Sequence, residues 1–405
     1  MNKIAKSVEA SEVYAATEHA DLVARARALV PLIHEHRAEA EKLRRAPPQC
    51  IEAIKQAGLF RIFLPREHGG YQVDLRTAID IYSEIGRGCA STAWAHMILA
   101  TINLVVCLMS DQAQREVFGE NPDARVAGVF VPRGKATPVD GGYKLSGTWP
   151  FCSGCHYGDW FALMGAVVNE KGDVIDEIVH LIPAKDVEIL DDWHVTGLRG
   201  SGSNSVRVKD IFIPQHRTVK APQLLGYDPP ATHCKDTPIY RSAMAPLLTL
   251  VLATPALGAA RNAIEEFKAR MSGRSIPYTF YNKQSEAAVT HLRLGEAATK
   301  IETAEALARH VADEIDQSAE RGEPVSVEAR MRLKAQASYV SRLCLEGVEM
   351  LYLSGGGSAI SESSPIQRIS RDVHAANLHG LICFDTNTEA YGRAMLGLQP
   401  NTFMV

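Results

Sequence analysis

Several familiar signatures are absent from this chain, and each absence removes a class of function. No Walker-type phosphate loop occurs. The one stretch that resembles a dinucleotide fingerprint, Leu198-Arg199-Gly200-Ser201-Gly202-Ser203-Asn204-Ser205, lacks the third glycine and runs into the β-rich Val206 to Pro214. A Rossmann site needs a helix N-terminus there to meet the pyrophosphate, so none is expected. The stretch reads either as a tight loop beside a ligand or as a plain turn between strands. There is a single CxxC pair, Cys152 and Cys155, and the other cysteines of the eight are dispersed. That argues against a zinc site, a dithiol centre and a disulfide framework alike.

Lysines and arginines are interleaved with acids, and the formal net charge is only -4, so no nucleic-acid partner is expected. Met1 to Lys6 lacks the apolar core of a signal peptide, which leads to the expectation of a cytoplasmic protein. Ala243 to Ala260 is almost free of polar groups, but it contains Pro246 and Pro255 and has no interfacial belt. It is expected to be a buried bundle helix and not a membrane span.

What is present is organised in three blocks. Ala10 to Arg45, Cys50 to Ala57, Asp74 to Gly86 and Ser91 to Met109 carry helical periodicity, with Asp111 as the expected N-cap of a further short helix. From about Arg125 the pattern changes to short β-rich runs: Val126 to Val131, Gly142 to Trp149, Trp160 to Val168, Glu177 to Ile182 and Val206 to Ile213. Helical spacing returns at about Ser242 and continues through Val289 to Arg321 and Val327 to Leu353. The expected units are an N-terminal helical domain (1–123), a central β-barrel (124–225) and a C-terminal four-helix bundle (226–405).

Three segments carry candidate chemistry. Around Ser153, the sequence Thr148-Trp149-Pro150-Phe151 and Tyr157-Gly158-Asp159-Trp160 provides aromatic residues with one small hydroxyl between them, suited to a flat ring or to filling a barrel core. Ser354-Gly355-Gly356-Gly357-Ser358 fits a close backbone approach, a phosphate contact or a helix end. His374 and His379 stand five residues apart, about 500° of helical rotation, so their rings point about 140° apart and serve different purposes. Their spacing does not suit a metal pair on one helix face, which leaves core histidines or a general base working near neutral pH.

Taken together, these segments resemble the acyl-CoA dehydrogenase superfamily. More closely they are similar to the oxygenase components of two-component flavin-dependent aromatic monooxygenases, the group of p-hydroxyphenylacetate hydroxylase, the steroid-ring hydroxylases and indole-acetate monooxygenase. The carriers are Trp149 to Trp160, Val195 to Asn204, Pro365-Ile366-Gln367-Arg368 with Arg371-Asp372, and Thr402-Phe403-Met404-Val405. The resemblance implies a mainly α fold with an inserted β-barrel, a homotetramer, and a flavin near a subunit interface. It implies reduced FMN or FAD supplied by a separate NAD(P)H:flavin reductase, O2 as co-substrate, and a C4a-hydroperoxyflavin that hydroxylates a phenolic or indolic ring.

Residue by residue, the resemblance sets Ser153 beside flavin N5 and Phe151 over the ring, with Ser203 of the glycine loop close by. Arg274 and Gly355, Gly356 and Gly357 fall in regions that meet flavin phosphates. His379 falls at the histidine near the substrate hydroxyl, as its base, with His374 in support and Trp149 among the substrate-side aromatics. Phenol-specific members carry a histidine at about Ile102; here Ile102 stands in its place and His96 lies nearly two turns earlier, which argues against a simple phenol and leaves room for an indole or polycyclic ring, with His96 and Ile102 both substrate-side candidates. The carboxylate that removes an α-proton in the dehydrogenase branch has no counterpart, because one slot holds His379-Gly380 and the other has no acid before Glu265. A flavin dehydrogenase or oxidase, and a non-catalytic binder of aromatic ligands, are the alternatives.

Overall fold

The computed structural model describes residues 18–225, 228–271 and 273–405. Helical turns over 18–28 lead into α1 (Val30–Glu35), α2 (Arg37–Leu43) and α3 (Pro48–Gln56). The continuous helix expected from Ala10 is therefore broken at Leu29 and His36, and Ala10 to Ala16 lie outside the described residues. Two longer helices follow, α4 (Leu75–Gly88) and α5 (Ala90–Cys107), then α6 (Asp111–Phe118). Ser110, not Asp111, caps α6, its hydroxyl accepting from Ala113 N at 3.2 Å. Serine caps as well as aspartate, so Asp111 is the first residue of the helix and Ser110 its cap.

The middle of the chain forms β1 (Val126–Val139), β2 (Gly142–Trp149), β3 (Trp160–Val168), β4 (Val174–Pro183), β5 (Glu188–Ile189), β6 (Val206–Pro214) and β7 (Thr218–Lys220). They make one sheet in the order β5-β6-β2-β1-β3-β4-β7. Its end strands do not pair, so the expected barrel is an open seven-stranded sheet. β1 runs parallel to β3 and antiparallel to β2, with a register shift between Val129 and Gly134. At this bend two glycines make room for an indole: a Cβ on Gly134 would lie 2.3 Å from Trp149 Cζ2, and one on Gly147 2.7 Å from Cη2.

After the short α7 (Ala221–Leu225), the remainder is α8 (Met244–Met271), α9 (Ala288–Arg321), α10 (Val327–Ser354), α11 (Pro365–Asn377) and α12 (Phe384–Met395). Ala90–Cys107 and Met244–Arg270 are long and apolar enough to cross a membrane, but 94% and 89% of them are buried inside the fold. Their apolar faces are spent on neighbouring helices, as in any core helix. α4 and α8 cross at close range, since a Cβ on Gly258 would sit 2.1 Å from Ser83 O. The start of α4 is capped twice. Asp74 accepts from Thr77 N at 2.7 Å, and Asp316 of α9 accepts from Leu75 N and Arg76 N at 2.9 and 3.0 Å.

Candidate active site

α5 presents Trp94 to the sheet. Its indole Nε1 donates to Ser153 Oγ at 3.0 Å, Ser153 Oγ lies 2.7 Å from Ser203 Oγ, and Ser203 Oγ lies 2.7 Å from Ser201 Oγ. An indole N–H can only donate, so Ser153 accepts from Trp94. Its own proton then points either at Ser203 or at a ligand, and when Ser203 turns to donate back, the Ser153 hydroxyl is free for a ligand acceptor. Backbone bonds join the two loops that carry these serines: Cys152 N to Asn204 O at 3.2 Å and Gly154 N to Ser201 O at 3.0 Å.

Phe151 adopts φ 62°, and its ring is 69% exposed, meeting Trp193 edge-on with centroids 6.0 Å apart. A bulky residue in the left-handed region is uncommon and costs roughly 1 to 2 kcal/mol. Here the geometry raises an aromatic face beside a set of buried hydroxyls. The cysteines of this turn are structural. Burial pushes the Cys155 thiol up to about 12, and its Sγ donates to Gly202 O at 3.3 Å. Among the described residues no group of three or more His, Cys, Asp or Glu is placed to hold a metal.

His379 follows the C-cap of α11, and its ring packs on Trp94 at 5.7 Å between centroids. Only partly open to solvent, it has protein around it, and this desolvation pushes its pKa down to about 4. Leu381 N donates to His379 Nδ1 at 3.2 Å. A backbone N–H cannot accept, so the neutral ring carries its proton on Nε2. In this arrangement the lone pair on Nδ1 is engaged and Nε2 offers a donor, whereas the expected role was that of a base. His374 faces elsewhere, with Nδ1 on Ser370 O at 2.8 Å and Nε2 on Glu349 at 3.2 Å.

Two substrate-side candidates prove to be core. His96 has no exposure, bonds Leu59 O through Nε2 at 3.0 Å, and lies edge-on to Phe60 and Tyr82. Trp149 is equally buried between its two glycines, Nε1 donating to Met164 O at 2.6 Å. Neither side chain is open to solvent, although His96 Nδ1 has no hydrogen-bond partner among the described residues. Ile102 packs against Gly128 at the start of β1. Trp94, which joins Ser153 to His379, carried no signal in the sequence, because its partner is 59 residues away and its neighbours are ordinary apolar residues.

A second cluster lies on the bundle. Arg274 donates to Gly355 O at 3.0 Å and to Ser358 Oγ at 2.8 Å. Gly356 has φ +59°, and a Cβ on Gly356 or Gly357 would meet nothing within 4 Å. The glycines therefore leave room for something from outside this segment. A guanidinium beside open backbone is the donor set a phosphate needs. The exposed Phe151 face with the Ser153 hydroxyl is what a flat ring with a hydrogen-bonding edge needs, so both ends fit a flavin nucleotide.

The comparisons agree. Residues 16–119 match the N-terminal domain model of acyl-CoA dehydrogenase, and residues 250–383 match the C-terminal domain model. The flavin-dependent monooxygenase oxygenase subunit HsaA of Rhodococcus jostii is 31% identical, covering 93% of this chain and 99% of that one. The chain belongs to the oxygenase components of two-component flavin-dependent aromatic monooxygenases, on the acyl-CoA dehydrogenase fold. The oxygenase component of FADH(2)-dependent resorcinol hydroxylase from Rhizobium sp. is also 31% identical, covering 94% of this chain and 95% of that one. XiaF from Streptomyces sp., solved with FADH2 and glycerol, superposes with a TM-score of 0.92 at 28% identity, covering 96% of this chain and 98% of that one.

The protein is thus an enzyme that uses reduced flavin from a separate reductase to hydroxylate an aromatic substrate. Glu265, the first acid on α8, is exposed and paired with Arg87 at 2.9 Å. It is in no position to remove a substrate proton as a dehydrogenase base.

Proposed function

We propose that the substrate is a phenol-type ring, held between Ser153 and His379 with its oxygen on His379 Nε2. The observation that carries this is the bond from Leu381 N to His379 Nδ1. It fixes the neutral tautomer, so the ring presents a donor and favours an oxygen acceptor, best of all a phenolate, over an indole N–H. Accepting a proton from the substrate would require the other tautomer and would leave Leu381 N without its partner. Trp94 forms one wall and keeps the spacing between Ser153 and His379.

Bound reduced flavin supplies the two electrons that activate O2, one oxygen atom ending on the ring and the other in water. Phe151 covers the flavin ring, while Ser153 and Ser203 meet its edge. Packing of this kind also keeps water out, which limits loss of the activated oxygen as H2O2. Arg274 and Gly355 to Gly357 take flavin phosphate. The assembly is a homotetramer in which one copy's phosphate cluster serves a neighbour's ring site. Supporting this are the fully exposed Tyr278 and Phe280 just beyond Arg274, an apolar surface that another protomer would cover. The protein works in the cytoplasm, without a membrane or nucleic-acid partner.

The test supplies FMN or FAD, reduced by a flavin reductase, with a panel of phenols and indoles, and reads mass for one added oxygen. Phenols should gain oxygen, with efficiency rising as the pH passes the phenol's own pKa. Hydroxylation of indoles in preference to every phenol would overturn the donor assignment, and no oxygenation of any ring would overturn the substrate class.

A further inference from the structure

Asp372 sits on α11 with 2% exposure, and nothing in the chemistry described above uses it. Its Oδ1 accepts from Leu198 N at 2.7 Å and its Oδ2 from Ser91 Oγ at 3.2 Å. Arg371, its neighbour in sequence, turns away to Glu41 at 2.9 Å and to Thr196 O. Among the described residues the carboxylate has no ion-pair partner of its own.

Each of its two bonds reaches a different arm of the site. Leu198 opens the loop that carries Ser201 and Ser203, and it is held at φ 51°. Leu198 O and Arg199 O accept from Trp193 Nε1 at 3.3 and 3.1 Å, and Trp193 is the ring behind Phe151. Ser91 is three residues before Trp94, one turn of α5, so its anchoring sets where Trp94 meets Ser153. Asp372 itself lies seven residues before His379 on α11 and its C-terminal extension.

The loop has little freedom to find this position otherwise. A Cβ on Gly197 would lie 2.1 Å from Arg371 O, and one on Gly200 would lie 2.8 Å from Ala40 Cβ and 3.0 Å from Ser91 Cβ. Backbone so close to α11, α2 and α5 is in register only while its first amide is satisfied. Buried amides without a partner are rare for that reason.

Resting on the functional reading above, we propose that Asp372 is a positioning residue: one buried carboxylate ties the serine loop, the Trp94 helix and the His379 helix into a single rigid site. It acts through its two hydrogen bonds and not through its charge. Asparagine can make both bonds, Oδ1 accepting from Leu198 N and Nδ2 donating to Ser91 Oγ, whereas alanine makes neither.

The experiment compares Asp372→Asn, Asp372→Ala and Ser91→Ala as full-length protein. Amide hydrogen exchange by mass spectrometry follows peptides over 196–204 without flavin; product and H2O2 per reduced flavin consumed follow coupling. The expected result is wild-type exchange and coupling for Asp372→Asn. Asp372→Ala should exchange faster in that loop and lose roughly tenfold in coupling, the scale set by losing one or two buried hydrogen bonds. Damage in Asp372→Asn equal to that in Asp372→Ala, or wild-type exchange in Asp372→Ala, would overturn the proposal.

Should Asp372→Ala not fold, Ser91→Ala, which keeps the Leu198 bond, decides: a drop in coupling supports the strut and none refutes it. A wild-type protein that hydroxylates nothing would end the functional reading, while the exchange data would still judge the strut.

Discussion

Trp94 and Ser153 should be energetically coupled. Trp94 is 4% exposed, and its indole N–H has Ser153 Oγ as its acceptor at 3.0 Å. In the wild-type background Trp94→Phe removes one neutral hydrogen bond, and Ser153 keeps Ser203 as a partner at 2.7 Å, so the hydrogen-bond part of the cost is about 0.5 to 1.5 kcal/mol, added to that of the cavity the smaller ring leaves. Ser153→Ala instead leaves a buried N–H with no acceptor, which costs about 1 to 3 kcal/mol. Adding Trp94→Phe to Ser153→Ala removes that orphan. The cavity left by the smaller ring is common to both backgrounds, so Trp94→Phe should cost less in Ser153→Ala than in the wild type, with a coupling energy of about 1 to 3 kcal/mol between the two positions. Apparent urea midpoints of the four proteins of the cycle, taken without flavin, measure it. Equal shifts for Trp94→Phe in both backgrounds would show that the indole N–H is satisfied in some other way, and the Ser153–Ser203–Ser201 hydroxyl chain would lose its anchor.

Other perturbations follow from the same geometry. Because desolvation pushes His379 down to about 4, its ring stays neutral from pH 5 upward; ring-carbon NMR of labelled histidine, assigned with His379→Gln, should show no titration of this residue between pH 5 and 8. A midpoint near 6.5 would contradict the desolvated setting. Asp316 is pushed up to about 7, first by desolvation and then by Asp74 against the bonds from Leu75 N and Arg76 N. A raised carboxyl pKa makes the folded state hold a proton that the unfolded chain releases, so its contribution is full below about pH 4 and is lost as the pH rises through 7. Relative to wild type, Asp316→Asn should gain stability between pH 4.5 and 7.5, on the order of a few kcal/mol; a constant gap across that range would refute the assignment. Gly197→Ala must displace backbone, since its Cβ would lie 2.1 Å from Arg371 O, whereas Gly357→Ala points into open space. The first should lower the thermal midpoint and the second should not, while Gly357→Ala should weaken flavin binding in titration if phosphate packs there.

The three-block order was legible because helical and strand periodicities differ, and the long apolar helices α5 and α8 stood out as runs. Closure of the sheet was not legible. It depends on whether β5 and β7 meet, and neither short edge strand carries a pattern that says so. Within the site, the segments were visible where the chemistry is local: Ser153 between aromatics, the glycine run before Ser358, the histidine beyond α11. Residues whose role is set by distant partners were not. Trp149 and His96 look like ligand-facing groups until Gly134, Gly147, Phe60 and Tyr82 are seen around them, and Trp94 looks like core until Ser153 arrives from the sheet.

His379 shows the same limit within two residues. An imidazole beside a substrate hydroxyl reads as a base from sequence, since its ordinary pKa lies near neutrality. A backbone amide favours the other role. The chain turns after α11 so that Leu381 N points at Nδ1, and a 3.2 Å bond from a group that can only donate decides which nitrogen holds the proton. Desolvation then keeps the ring neutral, so it cannot offset this by taking up a second proton in the ordinary pH range. A neutral donor stabilises an oxygen that already carries negative charge better than one that still has a proton to give. On the proposed reading the site selects the ionised ring, and ionisation of the substrate, not of the histidine, should set the pH dependence of hydroxylation.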